Sequence, residues 1–226
     1  ELAILRNIVT SADTELAIKI GGPFAFRDIA EAHQLKAKHI IVPMIETQEV
    51  CDIFLKGRNQ LANELITQRR LSSFLINIET EKSFNNVNQI LDLLCNDYSF
   101  KGIIIGRSDL SSSININEKD IENSEIFSIC AEILKQCKNR NQYTTLGGRV
   151  TPDSYENIMK LIDLGLDSFE TRKCCFKARE YNKPGFEQLV KDALSFESNL
   201  LGIYESMSNV FTKKIEKRIL DISNRF

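Results

Sequence analysis

Apolar positions along this chain switch repeatedly between the continuous runs of buried strands and the three- and four-residue spacing of helices. Residues 1–11 predict a helix with Leu2, Leu5, Ile8 and Val9 on one side. A strand over 16–20 ends in Gly21-Gly22-Pro23, and the helix after it turns Phe26, Ile29, Ala30 and His33 inward. A strand over 39–45, a helical stretch over 47–68 and a strand over 74–79 follow. The helix over 82–97 keeps Phe84, Val87, Ile90, Leu91 and Leu94 at helical spacing. Beyond it lie a strand over 102–106, a polar loop over 107–121 and a helix over 123–138 that buries Ile126, Phe127, Ile129, Cys130, Ile133, Leu134 and Cys137. A short strand over 143–149 carries Gly147-Gly148-Arg149. Thr151 or Ser154 caps a helix over 154–164, and Gly165 stops it as a glycine just past a helix end does. The last strand, 167–174, holds Glu170-Thr171-Arg172-Lys173. The tail from Phe186 to Ile222 is helical, in two pieces because of the Ser/Asn content at 195–199 and 206–209.

Strand and helix alternate with no repeat and no linker, so 1–226 is expected to be one α/β domain with 186–226 as a C-terminal helical extension. The six visible strands are nearly all continuous apolar runs, as in parallel sheets buried on both faces. The expected fold is a (β/α)8 TIM barrel with its first one or two strands lying before Glu1; an open doubly wound sheet is the alternative. The chain opens at Glu1, without Met and inside a helix-like segment, which is read as a missing or processed beginning.

Lys+Arg 29 against Asp+Glu 31 gives a net charge of −2, so no global basic field recruits nucleic acid. The run Lys213-Lys214-Ile215-Glu216-Lys217-Arg218 reads as the solvated face of a helix. No apolar run reaches the roughly 20 residues of a membrane-spanning helix, and no signal peptide opens the chain. A cytoplasmic protein without a membrane partner is expected, its six cysteines reduced and mostly buried.

Ile76-Asn77-Ile78-Glu79-Thr80 and Gly102 to Leu110 each deliver one carboxylate, Glu79 and Asp109, at or just beyond the end of an apolar run. Parallel neighbours place both at the carboxyl edge, where ligands of such folds bind. Two hard oxygen ligands with room for water and substrate suit a catalytic Mg²⁺ or Mn²⁺. Strand alternation sends Lys19, Asn77 with Glu79, and Glu170 with Arg172 inward, and leaves Glu46 on Met44's side at a strand end. Charges among β-branched walls are costly unless paired or functional. Lys19, Arg107, Arg149, Glu170 and Arg172 are therefore site candidates, with internal ion pairs such as Glu170 with Lys19 or Arg149 as the structural alternative. Gly21-Gly22 and Gly147-Gly148 either bring backbone N–H groups to an anion or make tight turns. The Gly102-x₃-Gly106 spacing is one residue short of a P-loop and lacks its lysine. His33 lies on an apolar face and His39 opens a strand, which leaves no zinc site or Ser-His-Asp triad.

Ile18-Lys19-Ile20-Gly21-Gly22, Val42-Pro43-Met44-Ile45-Glu46-Thr47, Ile76 to Thr80, Gly106-Arg107-Ser108-Asp109-Leu110 and Phe169-Glu170-Thr171-Arg172-Lys173 occur in that order. Over residues 15 to 177 this series resembles the HpcH/HpaI aldolase and citrate lyase β-subunit family, and within it a branch with KIGG, PMIET, NIET and ETRK signatures. The resemblance implies a (β/α)8 barrel, a homo-oligomer with helices exchanged at the C-terminal end, and Mg²⁺ or Mn²⁺ held by Glu79 and Asp109. It implies a metal-dependent carbon–carbon lyase or aldolase acting on a small 2-oxo acid through a stabilised enolate. Lys19, with Arg149 or Arg172, would hold the carboxylate or the acceptor; Gly21, Asn77, Glu46 and Glu170 would line the substrate. Asn77 stands where many members carry Gln, and Lys19 where an arginine grips the carboxylate. Arg107 replaces a small or apolar residue, which implies a pocket for a further anionic group. A CoA-thioester lyase and a non-catalytic scaffold barrel are the competing readings.

Overall fold

The computed structural model describes residues 2–64 and 72–223. Six strands pair in parallel in unbroken chain order: β1 (Ala17–Lys19), β2 (His39–Val42), β3 (Ser73–Ile78), β4 (Phe100–Gly106), β5 (Tyr143–Gly147) and β6 (Ser168–Glu170). β7 (Cys175–Lys177) returns antiparallel on β6. A doubly wound sheet reverses its strand order at a switch point; this sheet has no reversal, so that alternative falls. The result is a curled half-barrel of parallel strands. Closure into an eight-stranded barrel is not seen among the described residues, where β1 and β7 form the two edges.

Nine helices accompany the sheet among the described residues: α1 (Leu2–Ser11), α2 (Phe26–Gln34), α3 (Gln48–Glu64), α4 (Glu81–Asn85), α5 (Val87–Leu94), α6 (Arg107–Ser113), α7 (Ser124–Lys138), α8 (Tyr155–Asp163) and α9 (Lys183–Ser223). Residues 65–68 of the helix expected over 47–68 lie outside the described residues, as does Glu1. The helices cover one face of the sheet, and alternate strand residues, among them Ile18, Ile40, Val42, Ile76, Ile78, Ile103, Ile105, Leu146 and Phe169, form the core against them. The other face carries Lys19, Ile41, Leu75, Asn77, Ile104, Thr145, Ser168 and Glu170, which the register lays side by side. No helix among the described residues is long and apolar enough to cross a membrane.

The departures from the expected elements have local causes. The strand expected to reach residue 45 stops at Val42, because Pro43 has no N–H for the ladder and Met44 takes a left-handed φ of 59°. The helix over 82–97 breaks at Asn86, whose side-chain amide donates to the carbonyls of Lys82 and Glu46. The polar loop at 107 is instead α6, where buried Leu110 and Ser111 anchor a turn too serine-rich to read as helix. The last strand ends at Glu170; Arg172 and Lys173 form an exposed two-residue hairpin turn, closed by Thr171 N–H donating to the Cys174 carbonyl at 2.8 Å. The tail is one helix rather than two pieces, its Ser195, Ser198 and Asn199 lying exposed on a continuous backbone. All six cysteines are free, and burial pushes Cys51, Cys130 and Cys137 up to about 12, which leaves them inert thiols.

β4 carries one extra residue, Lys101, opposite Phe74 and Leu75, and then passes very close to β5. A Cβ on Gly102 would stand 1.9 Å from the Tyr143 carbonyl oxygen, a backbone atom that cannot swing away. Gly102→Ala is therefore expected to cost roughly 3 kcal/mol or more, read as the shift of a urea unfolding midpoint. The same change at open Gly202, mid-helix with nothing near its Cβ position, should leave stability equal or slightly raised.

Candidate functional site

Glu79 is the first residue past β3, and its backbone is pinned before its side chain makes any contact. The N–H groups of Glu79 and Thr80 both donate to Ser83 Oγ (3.1 and 3.0 Å), and Ser83 N–H donates to Thr80 Oγ1 (3.1 Å), a capping box that starts α4. Thr80 Oγ1 donates to Glu46 Oε1 at 2.9 Å, and Lys82 Nζ stands 3.5 Å from Glu46 Oε2. Glu46, expected among the substrate contacts, instead braces this turn.

The Glu79 carboxylate is buried, the residue being 3% exposed. Its Oε2 accepts from Asn77 Nδ2 at 2.7 Å and from Lys19 Nζ at 3.0 Å, and its Oε1 faces Met44 N–H at 3.4 Å. Asp109, on the exposed side of the first turn of α6, lies within hydrogen-bond reach of Glu79. Partial desolvation, then the Glu79 charge, push the Asp109 carboxyl above the usual range, while Lys19 pulls it back. Two carboxylates this close must share a proton or a cation.

Asn77 Oδ1 is buried on the same face with no hydrogen-bond partner. Two converging carboxylates, one buried and one open, with an orphaned carbonyl oxygen nearby, are hard-oxygen donor chemistry, and they fit a divalent ion such as Mg²⁺ or Mn²⁺. Among the described residues no cluster of three or more His, Cys, Asp or Glu side chains forms an all-protein cage. An ion here would complete its shell with water and substrate, as a catalytic site requires.

Gly106 and Gly147 are register partners at the ends of β4 and β5. A Cβ on Gly106 would meet the Glu79 Cβ at 2.8 Å, and one on Gly147 would meet Glu170 Oε1 at 2.9 Å. The two acids thus lean in from β3 and β6 over a strip bare of side chains. Burial pushes Glu170 up to about 7, against the opposing pull of the Lys19 ammonium. The Glu170–Lys19 and Glu170–Arg149 ion pairs considered from the sequence are not formed among the described residues: Lys19 Nζ bonds Glu79 and acts on Glu170 only through its charge, and Arg149 contacts Glu118.

The other candidates divide. Arg149 stands half-exposed beyond β5 with one long contact, 3.5 Å from Nη1 to Glu118 Oε2, and Glu118 acts in turn on Asp109. That arrangement keeps a guanidinium near the mouth. Arg172 sits in the exposed hairpin turn rather than on an inward strand position. Gly21 has its N–H taken by the Asp28 side chain in the first turn of α2, at 2.9 Å to Oδ2, so it ties the loop after β1 to that helix. Arg107 is the clearest correction. It is 2% exposed, and its donors go to Glu122 Oε1 (2.8 Å) and the carbonyls of Gly147 and Gly148 (3.3 and 3.1 Å). Glu122 also accepts from Ser154 Oγ and Asn157 Nδ2. The guanidinium faces inward on this network and is closed to a substrate anion.

The role of Gly106 and Gly147 in making space for the two acids, and the parts played by Ser83 and Glu122, escaped the sequence reading. The glycines had a signal: each is the last residue of an apolar strand, a position where glycine marks close approach. Ser83 and Glu122 are ordinary polar residues whose partners are set by the fold.

The profile of the HpcH/HpaI aldolase/citrate lyase family matches residues 9–155, a span that contains Glu79 and Asp109 and stops short of Glu170. Among solved structures, citrate synthase SbnG is similar at 15% identity and a TM-score of 0.58, over 88% of this chain and 79% of that one. RipC from Yersinia pestis is similar at 14% and 0.54, over 71% and 72%. The HpcH/HpaI aldolase from Desulfitobacterium hafniense DCB-2 is similar at 10% and 0.55, over 73% and 68%. At these identities the likeness concerns the fold alone. No curated protein matches by sequence.

Removing one partner of a buried ion pair leaves the other uncompensated. Arg107→Ala is expected to destabilise the chain by about 3–5 kcal/mol, measured by chemical unfolding. Arg149→Ala, at a half-exposed contact, should change stability by less than about 1 kcal/mol.

Proposed function

Because this chain belongs to the HpcH/HpaI aldolase/citrate lyase family, we propose that it is a divalent-metal-dependent carbon–carbon lyase acting on a small 2-oxo acid. The observation that carries this reading is the convergence of Glu79 and Asp109 at the carboxyl edge, one buried and one open. These two residues would hold Mg²⁺ or Mn²⁺, with the orphaned Asn77 Oδ1 beside them. When bound, the ion supplies positive charge for the enolate that carbon–carbon cleavage develops.

The chain's own residues do the rest. Lys19 offers an ammonium to the substrate carboxylate, a point charge where an arginine would give a two-pronged grip. Its contact with Glu79 also supplies the counter-charge that the acid pair needs when no other cation is present. Arg149 can swing on its single long contact to a second anionic end of the substrate. The absence of side chains at Gly106 and Gly147 lets the Glu79 and Glu170 side chains close in over the ends of β4 and β5, which a larger residue at either position would prevent. A homo-oligomer belongs to the same reading, supported by exposed Leu194, Leu201, Ile203 and Met207 along α9.

Glu79→Ala and Asp109→Ala are each expected to lower Mg²⁺-dependent cleavage of oxaloacetate or a 4-hydroxy-2-oxo acid at least about 100-fold and to abolish Mn²⁺ binding by titration calorimetry. Unchanged Mn²⁺ affinity in both variants would remove the metal assignment, and silence of the native protein toward metal and 2-oxo acids would favour a scaffold. Lys19→Ala should weaken pyruvate binding about tenfold or more yet tighten Mn²⁺ binding in the absence of pyruvate, since its ammonium no longer competes for Glu79.

A further inference from the structure

We propose that Glu170 is the proton-transfer residue of this site, the catalytic group that takes a proton from the substrate and returns it to the enolate carbon. The inference rests on the lyase reading above and adds the acid–base partner which that reading leaves without a residue.

Three placements carry it. Glu170 ends β6 and lies over Gly147, where even a single Cβ would come within 2.9 Å of its Oε1. Glu79 ends β3 and lies over Gly106 in the same way, and Gly106 is the register partner of Gly147. Adjacent strands run about 4.8 Å apart, so Glu79 and Glu170 lean toward one another over the neighbouring ends of β4 and β5. A three- or four-carbon acid bound by Glu79 and Asp109 would present its reacting carbons toward Glu170.

The second placement is Lys19. Its Nζ is 3.0 Å from Glu79 Oε2, and it is also the cation that acts on Glu170. One ammonium thus bonds the first acid and acts through its charge on the second, which puts both on the same side of the sheet. The groups facing Glu170 are Lys19 from β1, Gly147 from β5 and its register partner Cys175 from β7.

The third is freedom. Glu79 is fixed by Asn77 and Lys19, and Glu46 by Thr80 and Lys82, whereas no hydrogen bond or ion pair among the described residues fixes the Glu170 carboxyl. Its carboxyl is therefore buried without a fixed partner. Burial brings it to about 7, where both of its protonation states are populated at neutral pH.

The step balances without a further reagent. In cleavage of a 4-hydroxy-2-oxo acid, the Glu170 carboxylate accepts the 4-hydroxyl proton. The O–H pair becomes the new C4 carbonyl, and the C3–C4 pair moves into the C2–C3 enolate. The aldehyde or ketone departs, and Glu170 gives its proton to C3. With pyruvate alone, the same carboxylate removes a C3 proton and restores one from solvent.

Exchange of the pyruvate methyl protons in D₂O with Mg²⁺ present, followed by NMR, tests this without the unknown acceptor. Native protein should exchange, with a rate that falls about tenfold per pH unit below about 7 as the base becomes protonated. Glu170→Gln should exchange at least about 100-fold more slowly and lose that pH limb, while binding Mn²⁺ with oxalate within threefold of native. Gly147→Ala crowds Glu170 without altering its chemistry, and it should slow exchange while sparing Mn²⁺–oxalate affinity. Exchange in Glu170→Gln within threefold of native, or a native profile flat from pH 5 to 8, overturns the role of Glu170 and leaves the lyase reading standing. A native protein that binds Mn²⁺–oxalate but never exchanges also overturns it, and one that does neither overturns the lyase reading as well.

Discussion

Parallel pairing in unbroken chain order makes every strand from β1 to β6 finish at one edge, and the positions of the chemical groups depend on that constraint. Lys19, Glu79, Asp109 and Glu170 are spread over more than 150 residues of sequence, yet each is the last residue of a strand or falls within a few residues of the end. No long-range loop is needed to collect them. The apolar alternate positions, held against the helices, determine which way the remaining side chains point. A one-residue slip of β3 would send Asn77 and Glu79 into the helix side, so the burial of Ile76 and Ile78 is what keeps the acids facing the open one.

The electrostatics of that face are lopsided. Glu79 is nearly sealed and retains three donors, Asp109 is raised by partial desolvation and then by its neighbour, and Glu170 is desolvated with a single distant cation acting on it. Three acids around one ammonium are a poor way to stabilise a fold, because burying charge without full pairing costs several kcal/mol per ion. Natural chains tolerate such conflict mainly where chemistry requires it. The orphaned oxygen of Asn77 belongs to the same pattern.

What could be read from the sequence was whatever periodicity controls. Continuous apolar runs marked β2 to β4, and the period of two placed Lys19, Asn77 and Glu79 on one face. The features that were not legible depend on partners far away in sequence. Arg107 closes an apolar strand as Glu79 does, and only the fold places Glu122 within reach to draw it away from the mouth. The hairpin that expels Arg172 is closed by Thr171–Cys174 bonds and the β6–β7 ladder inside a run that reads as extended throughout. Serine at 111 to 113 argues against helix, yet Ser111 and Ser112 donate to the Ser108 carbonyl and Ser113 to that of Leu110, so their hydroxyls are satisfied within the helix. Local propensity lost to tertiary packing in each case.

The buried guanidinium of Arg107 has one more consequence. It fastens the start of α6 to the carbonyls at the exit of β5, so the ends of β4 and β5 beneath the two acids are tied together by a donor-only fork. The acceptors of this tie are neutral backbone carbonyls, and neither flanking acid takes part in it. The cradle's dimensions are thereby uncoupled from the proton traffic across it, and the chain can gain and lose hydrogen ions at its mouth without reshaping the space where they move.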